Sequence, residues 1–519
     1  MMKKAVVLLV AMMISAPAAT PQEPGTLSLT LEDSILKALK NNLNVAVEVY
    51  NPGRAGATLS KAKEIFYPSL EFSYDREDDM EPSYWWIQGA ETLSSTYDSY
   101  QASLAQKIPT GGDFSLSLVS YKSDTNQAFQ LINPRYGSIL RFDFTQPLLK
   151  NLGPKVARRE IIVAQNNLEI SRNQFKSVLM DTIYLVEEAY WELVYAIENM
   201  KVKEQSLQLA RDLLAKNKKE VQVGQLAPIE ILNAQAVVAQ REAEILLADA
   251  QIKRSELILR NLINARTDAG GKIEKVVPLD RPEFKAKEVS LDGALAEAMS
   301  KRPDLKVNMT DIDTRKVNFS VAKNQLLPSL DLKLSYWSPG LSGDRLIYDN
   351  SDIFGGKIIG KEPGAASDAL RDSLKFLYNN WSVGMTLSVP LGDLFSRAGY
   401  AQAKLDLEQS EAKLKTIEQQ IIVDVSDAVR SIETDAKRVE AYRIARELAE
   451  KRLEAEAKKL GVGLTTNYFV LQYQEELANA RSNELKALVD YNLSLAKLER
   501  STGTSLESRN ISISNYLEK

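Results

Sequence analysis

The chain has 519 residues, 44% of them apolar and 26% charged, which excludes both a disordered polymer and a bundle of membrane-spanning helices. Lys and Arg number 65 against 69 Asp and Glu, a net charge of −4 that leaves no basic excess for gripping nucleic acid. Cysteine and histidine are both absent, so disulfides, thiolate chemistry, Ser-His-Asp relays and most zinc sites are excluded; neither a metal nor a cofactor is expected.

Lys3 and Lys4 precede an apolar run, Ala5 to Ile14, and then the small residues Ala16-Pro17-Ala18. This order predicts a secretory signal over residues 1–18. Its removal leaves 63 positive against 69 negative side chains, and no cysteine follows it that could carry a lipid anchor. No other stretch approaches 18 consecutive apolar residues, so a mature chain that enters a membrane must do so as strands.

The sequence is written twice. Ser60-Lys-Ala-Lys-Glu-Ile-Phe-Tyr-Pro-Ser-Leu70 recurs as Ser320-Val-Ala-Lys-Asn-Gln-Leu-Leu-Pro-Ser-Leu330 at an offset of 260, and Leu31 and Ala38 match Leu291 and Ala298 in the same register. Residues 158–259 align without a gap on 397–498 at an offset of 239, with 22 identities in 102 positions, including Arg158/Arg397, Ala189/Ala428, Val223-Gly224/Val462-Gly463 and Leu232/Leu471. The expected layout is a first repeat over 19–277, with strands about 69–148 and a helical hairpin about 155–269. A second repeat covers 278–503, with strands about 329–390 and a hairpin about 397–502, and a tail follows at 504–519.

Lys155 to Val223 and Tyr400 to Leu460 contain no Gly or Pro, which predicts helices of 69 and 61 residues, each about 90 to 100 Å long and too long for one globular core to cover. Ile183, Val186, Tyr190, Leu193, Ile197, Met200, Leu207 and Leu214 keep the 3-4 spacing of a coiled-coil seam, with the adjacent carboxylates Glu187 and Glu188 read as a solvated edge beside it. Second helices are expected over Ile229 to Ala269 and Leu464 to Thr502. The connecting tips carry Gly224 and Gly463, suited to a left-handed helix end, and Pro228, suited to a first turn.

Between the helical blocks the period changes to two. Leu70, Phe72 and Tyr74 alternate with Ser69, Glu71 and Ser73, and Leu140, Phe142 and Phe144 with Arg141 and Asp143. Leu330, Leu332, Leu334 and Tyr336 alternate with Asp331, Lys333 and Ser335, and Trp381, Val383, Met385, Leu387 and Val389 with Ser382, Gly384, Thr386 and Ser388. Such alternation suits strands with lipid on one side and water on the other, or a soluble sandwich with one face buried. A further hairpin about Pro109-Thr-Gly-Gly112 is present only in the first half, and whether it joins the same sheet is open at this point. Glu77 to Ser95, Lys122 to Gly137 and Ser338 to Asn379 are expected to be external loops.

With this duplicated plan behind a signal peptide, the chain resembles the TolC family of outer-membrane efflux proteins. The likeness rests on the Ala-Lys-x4-Pro-Ser-Leu approaches to the strands, the Val-Gly tips at Gly224 to Leu232 and Gly463 to Leu471, and the exits Gln146-Pro147-Leu148-Leu149 and Val389-Pro390-Leu391. The resemblance implies a mixed α and β membrane protein: a homotrimer sharing one transmembrane β-barrel in the outer membrane, continued by a long periplasmic coiled-coil barrel. It implies a passive duct of a tripartite efflux or type I secretion system, exporting small toxic molecules. Its tips, Gly224, Gln225, Leu226, Ala227 and Gly463, Leu464, Thr465, Thr466, would dock a periplasmic adaptor (membrane fusion) protein and an inner-membrane pump of RND, ABC or MFS type. The pore constriction would involve Glu230, Phe469 and Gln472. Phe469 stands where the pattern often has an acidic residue, so it is either an apolar gate or a packing residue between helices.

A periplasmic coiled-coil scaffold without a pore is the competing reading. An enzyme is not expected, because the only acid/base resources are carboxylate pairs such as Asp78-Asp79 and Glu187-Glu188.

Overall fold

The computed structural model describes residues 26–265, 275–349, 357–389, 394–513 and 516. The signal at 1–18, the last residues of the expected helix to Ala269 and the Pro390-Leu391 part of the second strand exit lie outside them.

In chain order, β1 (Thr26–Leu29) precedes helices α1 (Leu31–Asn41), α2 (Leu43–Glu48) and α3 (Tyr50–Lys63). Strands β2 (Ser69–Pro82), β3 (Thr92–Lys107), β4 (Asp113–Thr125) and β5 (Ile132–Pro147) follow. A single turn, α4 (Pro154–Ala157), leads to the long helix α5 (Arg159–Gln222) and its companion α6 (Ile229–Leu262). The second half has β6 (Lys275–Pro278), α7 (Leu291–Lys301), α8 (Pro303–Asn324), β7 (Ser329–Tyr348), β8 (Ile358–Glu362), α9 (Ala366–Leu374) and β9 (Asn380–Ser388). It closes with α10 (Leu394–Gly461) and α11 (Asn467–Thr502). The chain forms two compact units, each assembled from both halves: one from residues up to Val49, Lys176–Arg302 and Gln420 onward, the other from Tyr50–Phe175 and Pro303–Gln419.

The second unit holds a seven-stranded sheet in which β2, β3, β4, β5 and β7 are consecutive antiparallel neighbours, and β7 carries β9 and β8 along its other side. The hairpin left open by the sequence, β3 with β4, is therefore an integral part of the sheet. Its register preserves the faces: one row runs Leu70, Leu104, Leu116, Phe142, Tyr336, Trp381 across six strands. On the opposite face, Ser115, Asp143, Ser335 and Ser382 form a row across four. Tyr74, Tyr100, Tyr336 and Trp381 mark one border of the apolar band, the first two with ring centroids 4.9 Å apart.

Parts of all three expected loops are strand. β2 runs on to Pro82, β3 begins at Thr92, β4 reaches Thr125, β5 begins at Ile132, and β7 extends to Tyr348. The backbone ladder continues there while the apolar alternation that signals a strand is lost: Glu77-Asp-Asp79 on β2 and Lys122-Ser-Asp-Thr125 on β4 are polar on both faces, and β7 runs irregularly through Pro339, Gly340 and Gly343. Asp78 and Asp79 thus fall on opposite faces of β2, and Asp78 accepts bonds from Arg76 and Thr96. The Ser338 to Asn379 stretch also contains α9, which lies across β5 and β7 where the residues become small: Ser138, Ser338, Ala369 and Ser373 are buried. A Cβ at Gly340 would stand 1.9 Å from the Ala369 carbonyl oxygen, so only glycine permits this approach.

The first unit packs parts of the four long helices over the paired strands β1 and β6. Side-chain bonds join α5 to α6 through Lys203–Glu244 (2.8 Å), α5 to α11 through Lys486–Glu192 (3.0 Å) and Ser482–Asn199 (2.7 Å), and α11 to α10 through Arg446–Glu484 (2.6 Å). The expected seam is buried at Ile183, Val186, Tyr190, Leu193 and Leu207, whereas Leu213 takes the buried place expected of Leu214. The buried Tyr190 hydroxyl donates to Asp280 Oδ2 at 2.9 Å and accepts from the Asp280 N–H, fixing the chain after β6.

Glu187 is not a solvated edge. It is 3% exposed and paired with Arg509, which the segment after α11 brings back onto α5, with Leu506 buried beside it. Burial outweighs the attraction of Arg509 and pushes its carboxyl up to about 7. An acid whose pKa rises on folding holds its proton longer in the folded chain, so its contribution is complete below the unfolded value of 4.5 and is lost as pH rises to about 7. Stability should therefore fall by up to about 3 kcal/mol across that window. Thermal melts of wild type and Glu187→Gln between pH 4.5 and 8 check this: the variant should show a shallower decline.

Candidate functional site: the hairpin tips

Both tips are the same backbone device. At the end of α5, Gly224 has φ +78°, its N–H bonds the Val221 carbonyl at 3.0 Å, and the Gln225 N–H reaches back to Glu220 at 2.9 Å. At the end of α10, Gly463 has φ +74°, with Gly463 to Leu460 at 3.1 Å and Leu464 to Lys459 at 3.0 Å. These paired bonds satisfy carbonyls that a helix terminus leaves open, and glycine supplies the left-handed residue without Cβ strain. The first tip returns directly into α6 after Pro228. The second helix starts at Asn467, three residues later than expected from Leu464, because Thr466 is extended.

The tip residues are outward-facing. Gly224, Gln225, Ala227, Gly463, Leu464 and Thr466 are exposed, with Leu464 at 77%, and Leu226 and Thr465 are half-buried. The Thr465 hydroxyl donates to Glu456 Oε1 at 2.5 Å and Lys459 to Glu456 Oε2 at 3.1 Å. The Thr465 bond first, then Lys459, hold the Glu456 carboxyl below its usual range against the opposing effect of burial.

The three residues expected at a constriction are not joined to one another by any described bond. Glu230 is half-buried, and its carbonyl accepts from Asn217 at 3.4 Å. Gln472 is exposed and donates to Glu476 at 3.1 Å. Phe469 is 43% exposed, its ring 5.5 Å from that of Tyr468, so within one chain it leaves much of its surface open.

Behind the tips, Leu213, Val470 and Leu471 are buried together, with Val237, Leu453 and Leu460 packed against them, so all four long helices meet there. Beside this cluster lies a residue that the sequence reading missed. Arg241 on α6 is 5% exposed and donates to the Ser206 carbonyl at 2.6 Å, the Leu471 carbonyl at 3.3 Å and Gln474 Oε1 at 3.3 Å. One side chain thus ties α6 to α5 and α11, and burial pulls its pKa below that of a free guanidinium. The available signal was a strict heptad of inward positions on α6: Ala234, Arg241, Ala248 and Ser255, three of them small. Arg241→Ala removes all three bonds and should lower the local opening free energy by about 2 kcal/mol. Hydrogen exchange near the tips, followed by mass spectrometry, should then quicken roughly 30-fold, while exchange in the sheet stays unchanged.

A sheet apolar on one face, two long helical hairpins and their glycine-closed tips define a mixed α and β chain built from two similar halves. Residues 155–265 and 294–504 match the family described as outer membrane efflux protein, and the chain belongs to that family. Outer membrane protein TolC of Vibrio cholerae is 25% identical over 350 residues, covering 66% of this chain and 72% of the relative. Nodulation protein T of Rhizobium leguminosarum is 21% identical over 309 residues, 58% of this chain and 59% of the relative. Among solved structures, the outer-membrane channel OprN has a TM-score of 0.64 at 16% identity, covering 92% of this chain and 90% of that one. The CmeC channel of Campylobacter jejuni has a TM-score of 0.61 at 15% identity, covering 93% and 90%. These structures share the fold.

Proposed function

We propose that the chain is a passive exit duct of the outer membrane: three copies close one β-barrel in lipid, and their long helices enclose a periplasmic conduit. A partner pump supplies the energy, so no residue performs covalent chemistry. The observation that carries the reading is the two-faced sheet, apolar across six strands and polar behind, since a membrane-spanning strand needs only about ten residues with that alternation. The helices support it too. Leu246, Leu247 and Leu257 on α6 and Ile422, Val423, Ile444 and Leu448 on α10 are exposed in the single chain, and neighbouring copies would cover them.

In this reading the tips at Gly224 to Ala227 and Gly463 to Thr466 meet a periplasmic adaptor protein and an inner-membrane pump, with Glu230, Phe469 and Gln472 near the narrow end. Small toxic molecules are the cargo expected of an efflux family.

Purified protein in a planar lipid bilayer should give stable conductance steps and should require detergent for extraction. A freely soluble protein with no conductance would instead favour the poreless scaffold. Cysteines placed at Gln225 or Leu464, in a chain that has none of its own, should cross-link to a co-expressed adaptor, and failure at both positions would remove the docking assignment.

A further inference from the structure

The sheet has two unpaired long edges, β2 and β9, and each is bare on the apolar face. Leu70, Phe72 and Tyr74 are 63%, 73% and 54% exposed; Val383, Met385 and Leu387 are 61%, 65% and 62% exposed. Six long strands separate one edge from the other, counting both included: β2, β3, β4, β5, β7 and β9. An even number of antiparallel strands leaves the two edges running in opposite directions, so the β9 of one copy can extend the ladder onto the β2 of the next without inversion, head to tail. In lipid, open edges of this kind do not persist, because their N–H and C=O groups find no water.

We infer that each copy contributes six strands to the shared wall, β3 and β4 included, and that the wall is sealed between copies by β9 against the next copy's β2 with Ser388 opposite Ser73. The inference rests on the duct reading above and deepens it, fixing the strand count at 18 for three copies.

The register comes from the chain itself. The junction between its halves, β5 with β7, pairs Thr145 with Lys333 and Pro147 with Asp331. Carrying β5 onto β9 by the offset of 243 that aligns the strand exits Gln146-Pro147-Leu148 and Val389-Pro390-Leu391, and β7 onto β2 by the offset of 260, turns Thr145/Lys333 into Ser388/Ser73 and Gln146/Leu332 into Val389/Phe72. That register follows from the repeat alone, yet it opposes Leu387 to Tyr74 and Val389 to Phe72. Polar residues likewise oppose polar ones, with Thr386 against Asp75. A slip by one residue would place every apolar side chain opposite a polar partner.

The hairpin β3–β4 belongs to the wall because its own alternation is in phase with its neighbours: Leu104, Leu116 and Leu118 continue the apolar face, and Ser103, Ser115 and Ser117 the polar one. Barrel diameter grows roughly linearly with strand number, so six strands per copy rather than four widens the lumen about 1.5-fold and its cross-section about twofold.

Two experiments separate this inference from the duct reading. In the template junction, the Leu148 N–H bonds the Leu330 carbonyl at 2.7 Å, so the apolar positions are the hydrogen-bonded pairs and the polar positions are the closer, non-bonded ones. Ser388→Cys with Ser73→Cys should therefore lie within disulfide reach on the water-filled side, and both positions are exposed in the single chain. Oxidation of the double variant should give covalent dimers and trimers, while either single variant stays monomeric on denaturing gels. The second experiment excises residues 92–125, bringing β2 beside β5 with Leu70 level with Phe142 and the faces conserved. Imaged in lipid nanodiscs, its barrel should be about a third narrower than that of the full chain.

A full-length protein that conducts but gives no covalent oligomer, or a deletion variant whose barrel is as wide as the full chain's, overturns the six-strand wall while leaving the duct intact. Absence of conductance in the full chain would overturn the duct reading itself.

Discussion

Everything in this protein answers to the backbone hydrogen bond in a solvent that cannot supply one. Within a bilayer a strand must find partners on both sides, and the six long strands here satisfy one another except along the outer edges of β2 and β9. The side chains repeat the same demand, since apolar residues cover one face of all six strands and Ser, Asp, Lys and Gly fill much of the other. In the proposed duct, neighbouring copies close those two edges.

The long helices meet the corresponding problem in water. At 64 and 68 residues, α5 and α10 are far longer than one globular core can cover, and their inward faces rely on small and β-branched residues at close helix contacts. Many positions at which the two helical blocks are identical are also buried in both: Ser171 and Ser410, Val186 and Val425, Ala189 and Ala428, Ala248 and Ala487, Ser255 and Ser494. Packing against a neighbouring helix tolerates few sizes there, while the exposed faces between these positions diverge. At the tips, Val223-Gly224 and Val462-Gly463 keep their identity for a different reason, because only glycine enters the left-handed conformation cheaply.

Where periodicity is strong, the architecture was legible in the sequence. The helices end within a few residues of the Gly and Pro breaks, and every alternating segment is a strand. The reading fell short where a second partner decides the outcome. The outer parts of β2, β3 and β4 are mostly polar on both faces, and β7 loses its alternation after Trp337, so only the neighbouring backbone reveals them as strands. Gly340 and Ser338 look like loop residues until α9 is seen lying on them. Glu187 read as a solvated edge and Arg241 was passed over, because the sequence around Glu187 does not announce that Arg509 returns from 322 residues away, and a heptad of small residues on α6 does not reveal that three acceptors converge on one guanidinium. The tip turns were visible as Val-Gly pairs, whereas the later start of α11 at Asn467 depends on the extended Thr466.

The central claim is that several copies of this chain enclose one water-filled space and that each supplies the same arc of its wall. Single-particle imaging of the full chain in lipid nanodiscs addresses it most directly. The account requires a closed, threefold ring with six strands per subunit and a continuous ladder across every subunit boundary. Discrete open sheets, or a ring in which β3 and β4 stand outside the wall, would contradict it.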